Sequence, residues 1–89
     1  MQPLSVVIIT FNEAAHIERC ISSVHGLAEE VLVVDSLSTD ETPAIAARMG
    51  ARVVQRPWPG YAKQREWAAG HASHDLILAL DADEYLSPE

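Results

Sequence analysis

Two aspartates, Asp81 and Asp83, stand two residues apart where an apolar run ends, in LILALDADE. Once the chain leaves the pleat of a strand, a short turn can bring both carboxylates toward one point. Oxygen-only donors suit hard cations such as Mg²⁺ or Mn²⁺. Two carboxylates with open positions leave room for phosphate oxygens and water, and a bridging metal would help a nucleoside diphosphate depart. The blander alternative is a solvated acidic loop, since Asp-x-Asp alone is common. Asp35 ends a second apolar run, VLVVD. A carboxylate there accepts a hydrogen bond from a base imino group or a ribose hydroxyl, or else caps the turn into the next helix with Ser36 and Ser38. Phe11, at the tip of the first run, can stack on a base or fill the edge of the sheet.

The remaining candidates are weaker. A guanidinium at Arg65 could grip diphosphate oxygens in a bidentate manner; a solvated helix face with Glu66 as partner is the alternative, and the better account of Lys63. The four histidines show no ligand spacing. His71 and His74 are three apart, with no acid or cysteine completing a set, and read as surface. Cys20 and Trp67 read as core. Neither a Walker A loop nor GxGxxG is present, so the P-loop and dinucleotide fingerprints are missing.

Charge narrows the partners. The formal net charge is −7, which argues against nucleic acid, whose phosphates call for clustered Lys and Arg, and against an anionic membrane surface. An anionic small molecule stays admissible if a metal ion supplies positive charge. A single cysteine permits no internal disulfide and fits a reducing compartment. The start, MQPLSVVIITFNE, lacks the basic segment and cleavage site of a signal peptide, and no apolar run nears the ~18 residues of a spanning helix. The expectation is a cytoplasmic chain with no membrane span, which leaves the inner face of the membrane open as a location.

Three apolar runs must position these residues: Leu4–Thr10, Val31–Val34 and Leu76–Leu80, with a weaker fourth over Ala51–Gln55. They are continuous rather than alternating, as in parallel strands covered on both faces. Between them lie helical patterns. In AAHIERCISSVHG, Ile17, Cys20, Ile21 and Val24 share one face, with Asn12 as N-cap and Gly26 as the stop. In STDETPAIAARMG, Ser38 and Glu41 have capping-box spacing and Pro43 suits the first turn. GYAKQREWAAGHA predicts a third helix despite Gly70, and RPWPG before it is an irregular connection. The order β-α-β-α-β-α-β predicts one small α/β domain, a three-layer, mainly parallel sheet with right-handed crossovers. Ligands in such sheets bind beyond the carboxyl ends of the strands. Thr10 to Glu13, Asp35 with Ser36, and Asp81 to Glu84 are therefore expected on one rim.

Taken together, SVVIITFNEAAHIERCISSV, VLVVDSLSTDETPAIA and LILALDADEYL resemble the amino-terminal half of family 2 glycosyltransferases of GT-A fold. The KQREWA segment looks most like a subgroup related to lipopolysaccharide-core β-glucosyltransferases. The resemblance implies a nucleoside-diphosphate sugar donor, a UDP-sugar foremost, a divalent cation (Mg or Mn), and inverting transfer to a sugar or lipid-linked acceptor in cell-envelope polysaccharide biosynthesis. On it, Thr10, Phe11, Asn12 and Glu13 match the segment lining the base and ribose pocket. Asp35 matches the acid that contacts the nucleoside, and Arg65 the basic residue near base or diphosphate. Asp81 and Asp83 match the DxD motif, with Asp81 serving ribose as well as metal. Leu37 stands where many relatives have glycine, and Glu66 where many have asparagine. The family's general base and acceptor site lie downstream of DxD, so residues 1–89 look like the donor-binding part of the domain, expected to be inactive alone, and no catalytic residue is assigned. The competing expectation is a non-catalytic nucleotide-binding or structural module. A sugar nucleotidyltransferase would want a glycine-rich basic loop where TFNEAA stands, and a receiver domain an acidic pair where Asn12-Glu13 stands.

Overall fold

A computed structural model describes residues 3–83. Glu84, which the sequence adds to the acidic cluster, lies outside the described residues. The element order is β1 (Leu4–Thr10), α1 (Ile17–Val24), β2 (Glu30–Asp35), α2 (Thr42–Arg48), β3 (Arg52–Gln55), α3 (Tyr61–His71) and β4 (Leu76–Asp81). The four strands form one sheet in the order β3-β2-β1-β4, and each neighbouring pair is parallel. The continuous apolar runs are explained by this arrangement, because each central strand is covered on both faces.

Strand alternation sorts the core into two layers. Val6, Ile8 and Val33 pack with Ile17, Cys20, Ile21 and Val24 of α1 and Ala46 of α2. Val7, Leu32 and Val34 pack on the other side with Ala68, and with the half-buried Trp67. Thus α1 and α2 cover one face and α3 the other. Right-handed crossovers require this: β1→β2→β3 steps in one direction, and β3→β4 returns past β1, which moves its helix to the opposite face. Full burial of each Val or Ile side chain is worth about 1.5–3 kcal/mol against exposure. The two faces of β1 and β2 therefore supply much of the driving force.

Element ends differ from the sequence expectation in two places. Helix α1 begins at Ile17, where His16 is the N-cap and makes no side-chain capping bond; residues 14–16 form a turn. Asn12 is not the cap. It adopts φ 53° and serves another loop. Ser38 and Glu41 form no capping box. Glu41 is the N-cap of α2 without a side-chain bond, and Asp40 accepts the Thr42 backbone N–H at 2.9 Å instead. The first α2 turn does carry Pro43 as expected. Helix α3 runs through Gly70 to His71. Among the described residues, no helix is long and apolar enough to cross a membrane.

The amino-terminal edge of the sheet is tied by Glu30. Its carboxylate accepts from the Ser5 hydroxyl at 2.8 Å, from the Ser73 N–H and hydroxyl at 2.8 Å each, and from Arg52 Nη2 at 3.0 Å. Four segments meet there, at the end of the sheet away from the acidic rim. Burial alone would raise the pKa of Glu30. The Ser73, Ser5 and Arg52 donors outweigh it and lower the pKa to about 2.

Candidate functional site

Register places the informative residues at one level. Thr10 is paired with Asp35, and Ile9 with Asp81, so β1, β2 and β4 end side by side. In the order β3-β2-β1-β4 the chain's direction of travel reverses between β1 and β4. That crevice is the topological switch point, where open α/β sheets hold ligands. A cleft of about 390 Å³ opens there, lined by Ile9, Thr10, Phe11, Glu13, Trp58, Tyr61, Asp81, Ala82 and Asp83. An apolar notch of about 360 Å³, lined by Phe11, Ser36 and Trp58, adjoins it. Phe11 and Trp58 border both.

Asp81 and Asp83 share the cleft because of the residue between them. Ala82 is buried and packs in the core layer of α1, and the acids on either side both border the cleft. The Asp81 carbonyl is approached by the Cys20 thiol at 3.7 Å. Asp81 Oδ1 accepts the Tyr61 phenol at 2.5 Å. Glu13, the third acid of the lining, pairs with His16 Nδ1 at 3.1 Å. No basic side chain borders the cleft among the described residues.

Phe11 is 57% exposed and Trp58 54% exposed, so neither ring fills the core. The role of Phe11 as an edge packing residue is therefore set aside. Trp58 was not marked as a site residue by sequence; the RPWPG connection read only as irregular. Its place follows from Gly60, whose φ of 109° turns the chain from Pro59 into α3 in a conformation that L side chains rarely adopt. Tyr61 was missed as well. The available signal was two aromatic rings in a β-to-α connection, on the rim where ligands bind.

The other expected residues are placed differently. Asp35 is fully buried. Its Oδ1 accepts the Thr10 hydroxyl at 2.5 Å and the Ser38 hydroxyl at 2.6 Å, and its Oδ2 accepts the Ser38 N–H at 2.8 Å. The turn-capping role weighed for it is present through Ser38, whereas the Ser36 hydroxyl accepts from Gln64 instead. Asn12 joins two rim loops: its N–H donates to Ser38 Oγ at 2.8 Å, and its Oδ1 accepts from the Thr39 N–H at 2.8 Å. The Glu13 N–H donates to Thr42 Oγ1 at 2.9 Å and the Ala14 N–H to Asp40 Oδ2 at 3.2 Å. The Thr42 hydroxyl, the strongest influence, and backbone donors hold the Asp40 carboxyl below the usual range, against the opposing effect of burial. Neither Asn12 nor Asp35 borders the cleft. Arg65 is exposed, with its guanidinium 5.7 Å from the centre of the Tyr61 ring. Gln64, one residue before it, is fully buried; it donates to Ser36 Oγ at 3.0 Å and accepts from Arg56 at 3.2 Å.

The oxygen donors of this rim suit a hard cation. Asp81 and Asp83 both border the cleft, and the described residues hold no cluster of three or more His, Cys, Asp or Glu placed to bind a metal. Such an ion would need ligand oxygens and water to complete its shell.

The family model for Glycosyl transferase family 2 matches residues 5–89. The chain belongs to glycosyl transferase family 2. A glycosyltransferase of Rickettsia felis is 52% identical over 89 residues, covering 100% of this chain and 31% of its own length. The lipopolysaccharide core biosynthesis glycosyltransferase LpsC of Rhizobium meliloti is 40% identical over 89 residues, covering 94% of this chain and 33% of its own length. Among solved structures, the glucosyl-3-phosphoglycerate synthase of Mycobacterium tuberculosis in complex with Mn²⁺, uridine diphosphate and glucosyl-3-phosphoglycerate matches with a TM-score of 0.80 and 31% identity. That match covers 94% of this chain and 36% of the other. The family 2 chain thus spans about a third of the length of these relatives. Its parallel α/β unit is the GT-A fold expected from the sequence, and the likeness to lipopolysaccharide-core transferases is present in LpsC.

Proposed function

We propose that this chain is the donor-binding part of an inverting glycosyltransferase that takes a UDP-sugar through a divalent cation held at Asp81 and Asp83. The observation that carries the reading is the cleft at the β1/β4 switch point, where Thr10, Phe11, Glu13, Trp58, Tyr61, Asp81 and Asp83 converge. Its acidity matters: among the described residues the cleft is lined by three carboxylates and no basic side chain, and a diphosphate entering it is repelled unless a cation intervenes. Support comes from the Mycobacterium tuberculosis synthase, whose complex contains Mn²⁺ and uridine diphosphate.

In this reading the uracil enters the notch between Phe11 and Trp58, where either ring can stack on it. Ribose lies over Thr10 and Asp81, and the diphosphate lies toward Asp83. A cation bound there would offset the charge that builds on the departing diphosphate. Asp35 is fully buried, so it meets a base imino group only if the rim around Thr10 and Ser38 opens. It acts first as the clasp that sets Thr10 and the Ser38 turn. Arg65, beside Tyr61 but outside the cleft lining, would meet the diphosphate only by swinging in from the rim. The acceptor is a sugar or lipid-linked glycan of the cell envelope, met at the cytoplasmic face of the membrane. The general base that activates its hydroxyl is assigned to no residue of 1–89, so these residues alone should not transfer sugar.

Calorimetry with UDP, with and without Mn²⁺, tests the reading. Binding should require the metal and weaken sharply in Asp83→Ala. Equal UDP affinity in EDTA, or wild-type affinity in Asp83→Ala, would reduce the acids to a solvated loop.

A further inference from the structure

We propose that Tyr61 is the positioning residue for Asp81, its phenol fixing the rotation of that carboxylate so that it meets a divalent cation in one orientation. The inference rests on the reading of the cleft as a metal-dependent nucleotide site. The geometry is direct: the Tyr61 hydroxyl donates to Asp81 Oδ1 at 2.5 Å, the short end of the range for a hydroxyl on a carboxylate, where such bonds are strongest. The terminal torsion of an aspartate is broad and roughly two-fold. One strong donor is enough to select an orientation and decide which oxygen carries which partner. Partners of this kind orient metal ligands and are a large part of a site's affinity.

Tyr61 is itself held. It occupies the first turn of α3, placed by the positive φ of Gly60. The helix is anchored beneath by buried Gln64 and Ala68. Its ring has the Trp58 ring on one flank, centroids 6.4 Å apart and tilted by 50°, and the Arg65 guanidinium at 5.7 Å. A donor on a rigid helical turn, braced by neighbours, suits positioning better than one on a free loop. The arrangement also gives Arg65 a second task. It supports the ring that orients Asp81, and so bears on the acidic pair through Tyr61.

The test uses Tyr61→Phe, Asp81→Asn and the double variant, in the protein as its gene encodes it. Mn²⁺ affinity in the presence of UDP is read by electron paramagnetic resonance, and thermal denaturation without metal checks the fold. Tyr61→Phe keeps the ring and its contacts with Trp58 and Arg65. It should weaken Mn²⁺ binding about 10- to 100-fold with the metal-free melting curve nearly unchanged. The double variant should bind no worse than Asp81→Asn, since both changes act through one carboxylate. If Asp81→Asn lowers Mn²⁺ affinity but Tyr61→Phe stays within about twofold of wild type, or if the two losses simply add, Tyr61 is only a packing residue. That outcome overturns the inference and leaves the metal-site reading standing. If Asp81→Asn and Asp83→Ala bind Mn²⁺ like wild type, the metal-site reading itself fails and takes the inference with it.

Discussion

Thr10 and Asp35, 25 residues apart, are register partners at the ends of β1 and β2, and the buried Thr10 hydroxyl donates to Asp35 Oδ1 at 2.5 Å. With the Ser38 N–H and hydroxyl, it gives the buried carboxylate three donors. One acid thereby sets two strand ends and the turn after the second.

Thr10→Val keeps the shape but removes one donor, and should cost about 1–2 kcal/mol. Asp35→Ala strands both hydroxyls and the Ser38 N–H, and should cost about 2–4 kcal/mol. Urea denaturation checks both values. If Asp35→Ala has wild-type stability, the clasp contributes nothing.

Trp58 gives a prediction about the ligand. Base–aromatic stacking is worth about 1–3 kcal/mol by alanine substitution. Trp58→Ala should therefore weaken UDP binding by about tenfold or more, while Trp58→Phe keeps most of it. Titration with UDP in Mn²⁺ measures this. Unchanged affinity in Trp58→Ala would remove the ring from the base site.

Leu37 occupies φ 59° with its side chain exposed. Left-handed backbone costs an L residue about 1 kcal/mol, against which glycine loses a comparable entropy on folding. Leu37→Gly should be at least as stable as wild type. Leu37→Val, β-branched at positive φ, should lose about 1 kcal/mol or more. The ranking of three thermal denaturation midpoints decides it.

Glu30 sets an acid limit. Its folded pKa of about 2 lies below the ordinary value of 4.5. A carboxylate depressed in the folded state adds stability that is complete above the unfolded pKa, and loses it as pH falls toward the folded one. The loss should run between pH 4.5 and about 2. Allowing for screening near the surface, it amounts to about 1–2 kcal/mol. The lowered pKa of Asp40 acts in the same direction. Glu30→Gln should be less stable at pH 7 and show a shallower decline through this window in pH-dependent urea melts.

Periodicity made the elements legible. Continuous apolar runs needed two covered faces, and both core layers accept them. The strand-end rule brought Thr10, Phe11, Glu13, Asp81 and Asp83 to one rim, and the cleft holds all five. Hydrogen bonding between loops was not legible. Asn12 and Ser38 looked like helix caps by spacing, yet each bonds across loops about 26 residues away. Short polar side chains bond whichever backbone group lies nearest, and which group that is depends on how the strands pair.

Residue type and spacing alone were enough for the alternation of strands and helices, for the placing of acids at a strand end, and for the family. These depend on residue type and period, which are local. It took the folded chain to bury Asp35 as a clasp, to bring Trp58 and Tyr61 to the cleft, and to set the Tyr61 phenol on Asp81. These facts depend on the β3→β4 crossover. It carries the chain back past β1 and lays the start of α3 against the tip of β4, joining residues 20 positions apart.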